Sequence, residues 1–368
     1  MLDEIPHLSA TSRQQKPATL QFLHVRAQCA VALLLMAWIP LTATAASCKT
    51  QSQMTAAQRD ALSAAARTLI AEVQSGDVQA MRANTIPAVA ADFSGIASSA
   101  ETLKPLVQQA AITVDSLYTL DSSADAPGAA RTDFYCGSPV VVLNFTDLPR
   151  GSYALAILHA TGVSKPQQIS FILSETPDHR WKLGGFFSKP MMQAGHDGLW
   201  YWASARKFAQ RNMNWDAWFY YRAAADTLDP VDFLSSPNLE KLQQEEQKVH
   251  PASFPTQQQP LMIGGQGSVF QVTSIDTTVT FGPLDLEVHY TPDPSQAALL
   301  RDPPMARKQV TAVMTALLAM HPEFESAFHG IWVQADAGSA SLFSLELPMD
   351  QLVPGTHLSA IDSNNLAR

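Results

Sequence analysis

The sequence has few charged residues and few cysteines. Asp, Glu, Lys and Arg make up 15% of the chain, against an average of about 25% in soluble proteins. Acidic residues outnumber basic ones by 33 to 24, which disfavours nucleic-acid binding because phosphate contacts require a basic surface. The chain has three cysteines and no CxxC or Cys/His cluster, so thiol redox catalysis and structural zinc have no support.

Catalytic motifs are also missing after the first 47 residues. That part of the sequence has no G-x-S-x-G, H-E-x-x-H, P-loop, dinucleotide loop or EF-hand pattern. His289, His321 and His329 lack fixed spacing, and the candidate carboxylate neighbours, Glu323 and Glu325, lie near His321. The sequence therefore predicts no metal site and no cofactor, and it favours a protein that is not an enzyme.

The first 46 residues predict a secretory signal peptide. A polar segment with three basic residues precedes an apolar run from Cys29 to Ile39, and an A-x-A site follows at Ala43–Ala45. The apolar run is shorter than the roughly 20 residues of a membrane span. The polar segment is long, which leaves open a true start further along the chain. We expect an exported bacterial protein, in the periplasm or outside the cell.

The two cysteines that remain after the signal are Cys48 and Cys136. Removal of residues 1–47 leaves 21 basic and 31 acidic residues, a net charge of −10. An even pair of cysteines in an oxidising compartment favours a disulfide. Alternatively, residues 45–48 resemble the lipobox of bacterial lipoproteins, with Ala45 where Leu is usual, and Cys48 would then carry lipid. Membrane association is expected only through this lipid.

Residues 50–192 combine helices with an antiparallel sheet. Helical spacing runs from Thr55 to Val73 and closes at Gly76, and helical material continues to about residue 109. The period then changes to two, and turn signals separate the runs. The predicted strands are residues 112–119, 132–135, 140–145, 153–161, 168–174 and 181–187.

The last of these strands reads Trp-Lys-Leu-Gly-Gly-Phe-Phe from Trp181 to Phe187. The strand, the order of helices before sheet, and the helix break at Gly76–Asp77 together resemble the NTF2-like cone family. The resemblance implies a curled antiparallel sheet around a pocket. Family members include isomerases, dehydratases and domains that only bind, so the fold does not decide the function.

An NTF2-like enzyme needs a buried carboxylate or histidine, often with a tyrosine donor. The candidates are Asp92, Asp115, Tyr118, Tyr135 and His159, of which Tyr118, Tyr135 and His159 are the predicted ligand pocket. Strand alternation predicts that Tyr118 shares a face with Ile112 and Val114, as a core tyrosine also would. His159 is more typical of a hydrogen-bonded sheet histidine than of a catalytic base.

Residues 196–249 are predicted to be helical and are rich in aromatics. Four of the seven tryptophans and three of the seven tyrosines lie between residues 196 and 230. Apolar spacing predicts two helices separated at Asn212–Asn214 and ended by Pro230. The pair resembles one tetratricopeptide (TPR) repeat, with signature-type residues at Tyr201, Ala205, Phe208, Ala217, Tyr221 and Ala224. Ser204, Asn212 and the late Pro230 depart from that pattern.

The TPR resemblance implies binding of a peptide or protein. The candidate binding surface is Trp200, Trp215, Trp218 and Tyr221. The sequence shows no second copy, although a solenoid needs roughly three repeats. The alternative, which the aromatic content favours, is that the helix pair braces two neighbouring domains.

Three further segments follow the helix pair. Residues 250–267 contain Pro, Gln and Gly without apolar period and predict a linker. Residues 268–350 predict a small ββαββ domain whose helix lies between Pro304 and Met320, and residues 351–368 predict a loose tail. The whole chain is therefore expected to be α+β. The favoured function is a protein-binding or scaffolding envelope component, and the alternative is a small-molecule binder or enzyme that uses the cone pocket.

Overall fold

The computed structural model describes residues 46–265, 268–338 and 340–353, which belong to one compact unit. The predicted signal peptide lies outside the described residues except for Ala46, as do Gln266, Gly267 and residues 354–368 of the predicted tail. Among the described residues, no helix has the length and apolar character that a bilayer crossing requires.

In the N-terminal half, one short strand is followed by four helices and then by six strands. The elements in chain order are β1 (Ser47–Thr50), α1 (Ala56–Ser75), α2 (Val78–Ala83), α3 (Pro87–Ala90), α4 (Ser94–Val107), β2 (Ala111–Asp121), β3 (Arg131–Cys136), β4 (Val141–Thr146), β5 (Ser152–Thr161), β6 (Gln167–Glu175) and β7 (Trp181–Pro190).

The second half has short strands and longer helices, followed by the strands of a C-terminal sheet. Its elements are β8 (Met192–Gln193), β9 (His196–Asp197), α5 (Gly198–Gln210), α6 (Asn214–Leu228), β10 (Leu234–Ser235), α7 (Pro237–Lys248), β11 (Leu261–Gly265), β12 (Ser268–Thr278), β13 (Asp285–Thr291), α8 (Pro303–Met320), α9 (Phe324–Ala327), β14 (Gly330–Ala337), β15 (Ala340–Pro348) and α10 (Met349–Leu352).

The N-terminal sheet is antiparallel with strand order β1-β2-β5-β6-β7, and helices cover one of its faces. The Thr55 hydroxyl accepts the Gln58 N–H and starts α1, and Gly76 ends the helix in the left-handed region at φ 76°. Leu62 and Leu69 of α1 are fully buried in the same apolar cluster as Leu158 of β5. This burial holds the helices on the sheet.

A second, three-stranded sheet with order β10-β4-β3 covers the other face. Phe134 and Leu143 of this sheet are fully buried against Leu155 and Ile157 of β5. A disulfide between Cys48 and Cys136 joins β1 to β3, with a Cα–Cα distance of 5.1 Å. This is the pairing expected from the sequence, and a thiol in this bond cannot carry lipid.

A β-bulge in β2 overturns the face predicted for Tyr118. The register with β5 shifts between Val114 and Ser116. Ile112 and Val114 pack into the cluster under the helices, whereas Tyr118 packs into the cluster under the small sheet. One extra residue in a strand moves every following side chain to the opposite face, and simple alternation does not show where such a residue lies.

The α5/α6 pair and the C-terminal sheet share one apolar core. Trp215 of α6 lies 6.0 Å from Phe324 between ring centroids, and Phe219 lies 5.7 Å from Phe328. The Tyr220 hydroxyl donates to the Ala327 carbonyl at 2.6 Å. The segments predicted separately as residues 196–249 and 268–350 are therefore packed together.

The C-terminal sheet has the order β11-β12-β13-β14-β15, and only the β13–β14 pair is parallel. Helix α8 provides the crossover between those two strands and buries Val310, Val313 and Leu317 against them. Strand β11 adds to the predicted ββαββ unit and lies within the predicted linker. Its apolar run at Leu261–Ile263 follows a Gln- and Pro-rich segment, which hid the strand. The α+β class with a central helical segment is confirmed.

Candidate functional site on the outer face of the C-terminal sheet

The polar side chains of the C-terminal sheet gather on the face opposite α8, which we call the outer face. Leu286, Val288 and Tyr290 of β13 are buried towards α8, so the alternate side chains of that strand point the other way. The same alternation holds in β14 and β15. The outer face carries Asp276, Asp285, Glu287, His289, Trp332, Gln334, Asp336 and Glu346.

A row of four residues crosses this face in register. Asp276 pairs with Glu287, Glu287 with Trp332, and Trp332 with Glu346. Carboxylates directly opposite each other in a sheet repel; the Arg222 guanidinium lies 3.4 Å from Asp276, and His289 Nε2 lies 3.3 Å from Glu287. The row therefore presents three carboxylates and one indole on a single face of the sheet.

Trp332 stands between two of these carboxylates, with an exposed aromatic ring beside it. Phe281, which is 50% exposed, lies edge-on to the indole at 5.4 Å between centroids and an interplanar angle of 86°. Strand pairing sets Glu287 on one side of Trp332 and Glu346 on the other. An indole face flanked by carboxylates is an environment that attracts organic cations.

His289 lies between Glu287 and a further carboxylate of the outer face, Asp336. Its Nδ1 is 2.6 Å from Asp336 Oδ2, and its Nε2 is 3.3 Å from Glu287 Oε1. Gln334, which pairs with His289 across the strands, also donates to Glu287. These bonds fix the ring orientation, and both ring nitrogens are already engaged.

A second histidine meets two carboxylates at the start of β14. One ligand-type atom from each of Asp285, His329 and Glu346 lies within 4.8 Å of the others. His329 Nδ1 is 3.2 Å from Asp285 Oδ1. The Asp285 side chain is fully buried, and its Oδ2 has no hydrogen-bond partner. Among the residues that the structure describes, these three are placed to hold a metal ion.

Burial raises the pKa of both carboxyl groups of this cluster. Desolvation raises the pKa of Asp285, although the bond to His329 opposes the shift. Desolvation also raises the pKa of Glu346, and the negative charge of Asp285 raises it further. Burial is the main cause of both shifts, and the neighbouring His329 opposes both.

The three predicted pocket residues do not meet in one place. Tyr118 pairs with Leu155, four residues from His159 on β5, which is about 13 Å along a strand. Tyr135 is 65% exposed on the three-stranded sheet. His159 Nε2 lies 3.1 Å from Gln168 Oε1, its register partner on β6. His159 has the environment of a hydrogen-bonded sheet histidine.

The predicted aromatic binding surface lies mainly in the interior. Trp215 and Tyr221 are 7% and 2% exposed, and Trp218 and Trp200 pack against the same core. The Trp200 ring stacks on His196 at 3.5 Å between centroids. This is the arrangement that bracing requires, since the indoles fill the space between helices and sheet.

A carboxylate also ties α7 to the helix pair. Glu245 accepts two hydrogen bonds from the Arg206 guanidinium, at 2.6 and 2.9 Å, and one from Trp202 Nε1 at 2.8 Å. The same guanidinium lies 4.4 Å from the centroid of the Trp202 ring. Arg206, Trp202 and Glu245 therefore join α7 to α5.

Sequence reasoning missed the outer face because its residues come from separate strands. Residues 285 and 329 are 44 positions apart, and the parallel crossover through α8 brings them together. A usable signal was the alternation of Asp285, Glu287 and His289 with buried apolar residues. Comparison of the chain with family models, curated proteins and solved structures finds no match. The NTF2-like and TPR-like resemblances therefore stay predictions.

Proposed function

We propose that the chain is an exported binding protein without catalytic activity, and that its outer face binds a basic segment of a protein partner. The observation that carries the proposal is the position of Trp332 in register between Glu287 and Glu346. A lysine or arginine side chain placed over the indole would gain a cation–π contact and two carboxylate partners.

The charge of the protein supports this choice of partner. The chain without residues 1–47 has a net charge of −10, which accelerates encounter with basic ligands. The outer face adds three closely spaced acidic residues in one row, Asp276, Glu287 and Glu346. A basic segment is therefore attracted at long range and recognised at short range by the indole.

Export is supported by the Cys48–Cys136 disulfide, because such bonds persist in oxidising compartments. The cone-pocket alternative has less support. Tyr118 and His159 are separated along β5, and the imidazole of His159 is engaged by Gln168. The candidate carboxylate Asp115 lies 3.8 Å from His159 Nδ1 but is 47% exposed, whereas the predicted enzyme site needs a buried carboxylate or histidine.

The proposal is tested with a fluorescently labelled lysine-rich peptide and a matched peptide in which glutamine replaces lysine. Anisotropy titrations should show binding of the lysine peptide only, and weaker binding at higher salt. Trp332→Ala should lower the affinity by about 2- to 30-fold, the range of cation–π energies. Glu287→Gln should also lower it.

Two control variants separate a specific site from general acidity. Asp60→Asn removes an exposed charge from α1, and Tyr135→Ala removes an exposed aromatic from β3. Both should bind the peptide as the unmodified protein does. The proposal fails if Trp332→Ala binds with unchanged affinity, or if Asp60→Asn lowers the affinity as much as Glu287→Gln does.

A further inference from the structure

The cluster at the start of β14 has the spacing of metal ligands. His329 Nδ1 and Asp285 Oδ1 are 3.2 Å apart, and ligand atoms around a tetrahedral zinc ion lie about 3.4 Å from one another. The ligand atoms of Asp285, His329 and Glu346 all fall within 4.8 Å.

Asp285 supplies the second observation, which is independent of this spacing. Its side chain has no solvent exposure, and Oδ2 lacks any hydrogen-bond donor. A buried carboxylate oxygen without a partner is costly. A cation bound by the cluster would neutralise both carboxylates and remove that cost.

The backbone around the cluster holds the histidine and leaves space for the carboxylates. The His329 N–H donates to the Leu284 carbonyl at 2.9 Å, and its carbonyl accepts from the Met349 N–H at 2.8 Å. At Gly330, an added Cβ would lie 2.7 Å from Glu346 Oε1 and 3.1 Å from Asp285 Oδ1. Only glycine lets the two carboxylates converge on that side.

We propose that Asp285, His329 and Glu346 bind one divalent transition-metal ion, with Zn²⁺ as the preferred ion. Two carboxylates and an imidazole suit zinc, whereas Ca²⁺ and Mg²⁺ prefer oxygen ligands throughout. Three protein ligands leave a fourth position for water or for a group of a bound partner. The inference goes beyond the binding function proposed above. The two sites share Glu346, so zinc binding is measured without peptide, and the peptide titration is made in metal-free buffer.

Sequence reasoning predicted no such site because Asp285, His329 and Glu346 are far apart along the chain and form no motif. The carboxylates come instead from β13 and β15, which flank β14 in the sheet. His289 is excluded from the cluster, since its two nitrogens already face Asp336 and Glu287. His289 is therefore a matched control on the same face.

Calorimetric titration of the disulfide-bonded chain with Zn²⁺, in the absence of peptide, tests the site. We expect one ion per chain. Asp285→Asn, His329→Gln and Glu346→Gln should each weaken binding at least about tenfold, and His289→Gln should not. Co²⁺ should give the visible absorption of a four-coordinate ion, which His329→Gln should abolish.

His329→Gln is the decisive variant, because the side chain is 44% exposed and its loss spares the core. Saturable zinc binding that survives His329→Gln would overturn the site, and so would the absence of saturable binding to the unmodified chain. Ca²⁺ binding as tight as Zn²⁺ binding would overturn the choice of metal. The peptide titration uses Trp332→Ala instead, so the two proposals fail separately.

Discussion

Asp216 is a buried acid for which the fold provides no hydrogen bond. It lies in the first turn of α6 with no solvent exposure, and neither carboxylate oxygen has a partner. Desolvation, and then the charge of Glu323, raise the pKa of Asp216 to about 8. The residue is therefore largely protonated at neutral pH, and ionisation above that range opposes folding.

Replacement of this acid should flatten the dependence of stability on pH. The unfolded group titrates near its ordinary pKa of 3.8 and the folded group near 8. The stability linked to it is therefore complete below about pH 4 and is lost as the pH rises to about 8. Asp216→Asn should reduce the loss of unfolding free energy between about pH 5 and pH 8 by on the order of 1 kcal/mol or more.

Urea denaturation of Asp216→Asn at several pH values measures this slope, with the exposed Asp60→Asn as control. A slope identical to that of the unmodified protein would show that Asp216 does not titrate in this range.

Gly330 should not tolerate a methyl group. An alanine Cβ would lie 2.7 Å from Glu346 Oε1 and 2.9 Å from the Leu347 carbonyl, and that backbone atom cannot move away. Gly330→Ala should lower the unfolding free energy by about 1–3 kcal/mol. Gly95→Ala is the matched control, because its Cβ finds open space in α4 and alanine favours helix. If thermal melts show equal stability for the two variants, the close contacts expected for a Cβ at position 330 are not destabilising, which would contradict the prediction.

At the scale of elements, the α5/α6 pair acts through packing. Trp215 is 7% exposed and contacts Phe254 at 5.7 Å and His321 at 4.7 Å between ring centroids. The indole therefore joins α6 to the segment before β11 and to the turn after α8. Its removal would leave a cavity where three parts of the chain meet.

Trp215→Ala should accordingly cost about 3–5 kcal/mol of unfolding free energy. Leu199→Ala, on the same helix pair but 63% exposed, should change it by less than about 0.5 kcal/mol. Denaturant unfolding followed by far-UV circular dichroism compares them. If Trp215→Ala is as stable as Leu199→Ala, the helix pair does not brace the sheet.

Long, strongly patterned elements could be predicted from the sequence. The helix expected between residues 304 and 320 is α8, Pro303–Met320, and the strand expected at residues 168–174 is β6, Gln167–Glu175. The bulge in β2 and the strand β11 could not be predicted. Both depend on pairing with another strand, which local periodicity does not contain.

The candidate site was hidden for a related reason. Asp285, His329 and Glu346 come from three strands, and no local motif links them. The predicted surface at Trp200, Trp215 and Trp218 followed aromatic content, which indicates burial as strongly as binding. Parallel neighbouring strands are usually connected by a crossover helix. The helix predicted between the strands was therefore compatible with a parallel β13–β14 pair.

At the scale of the whole molecule, the disulfide closes a long loop. Cys48 and Cys136 are separated by 88 positions, and the bond ties β1 at the start of the described chain to β3. A loop of that length restricts the unfolded chain strongly. The paired Cys48→Ser/Cys136→Ser variant should therefore lose about 2–5 kcal/mol of unfolding free energy.

Denaturant unfolding with and without reductant measures that loss, and only the unmodified protein should respond to the reductant. Intact mass of protein secreted from a bacterium separates the disulfide from the alternative. A mass increase corresponding to lipid on Cys48 would contradict the bond.

The tryptophans of the described chain have two different roles. Tryptophans of α5 and α6 fill the joint between helices and sheet, and Trp332 alone stands among carboxylates on the outer face. The central claim is that recognition occurs on this face of the C-terminal sheet and that the helix pair supports it.

The most direct test compares Trp332→Ala with Trp200→Ala in the same titration with lysine-rich peptide, after both variants are shown to be folded. The account predicts that Trp332→Ala weakens binding by about 2- to 30-fold and that Trp200→Ala binds as the unmodified protein does. Binding lost in Trp200→Ala and retained in Trp332→Ala would contradict the account and assign recognition to the helix pair.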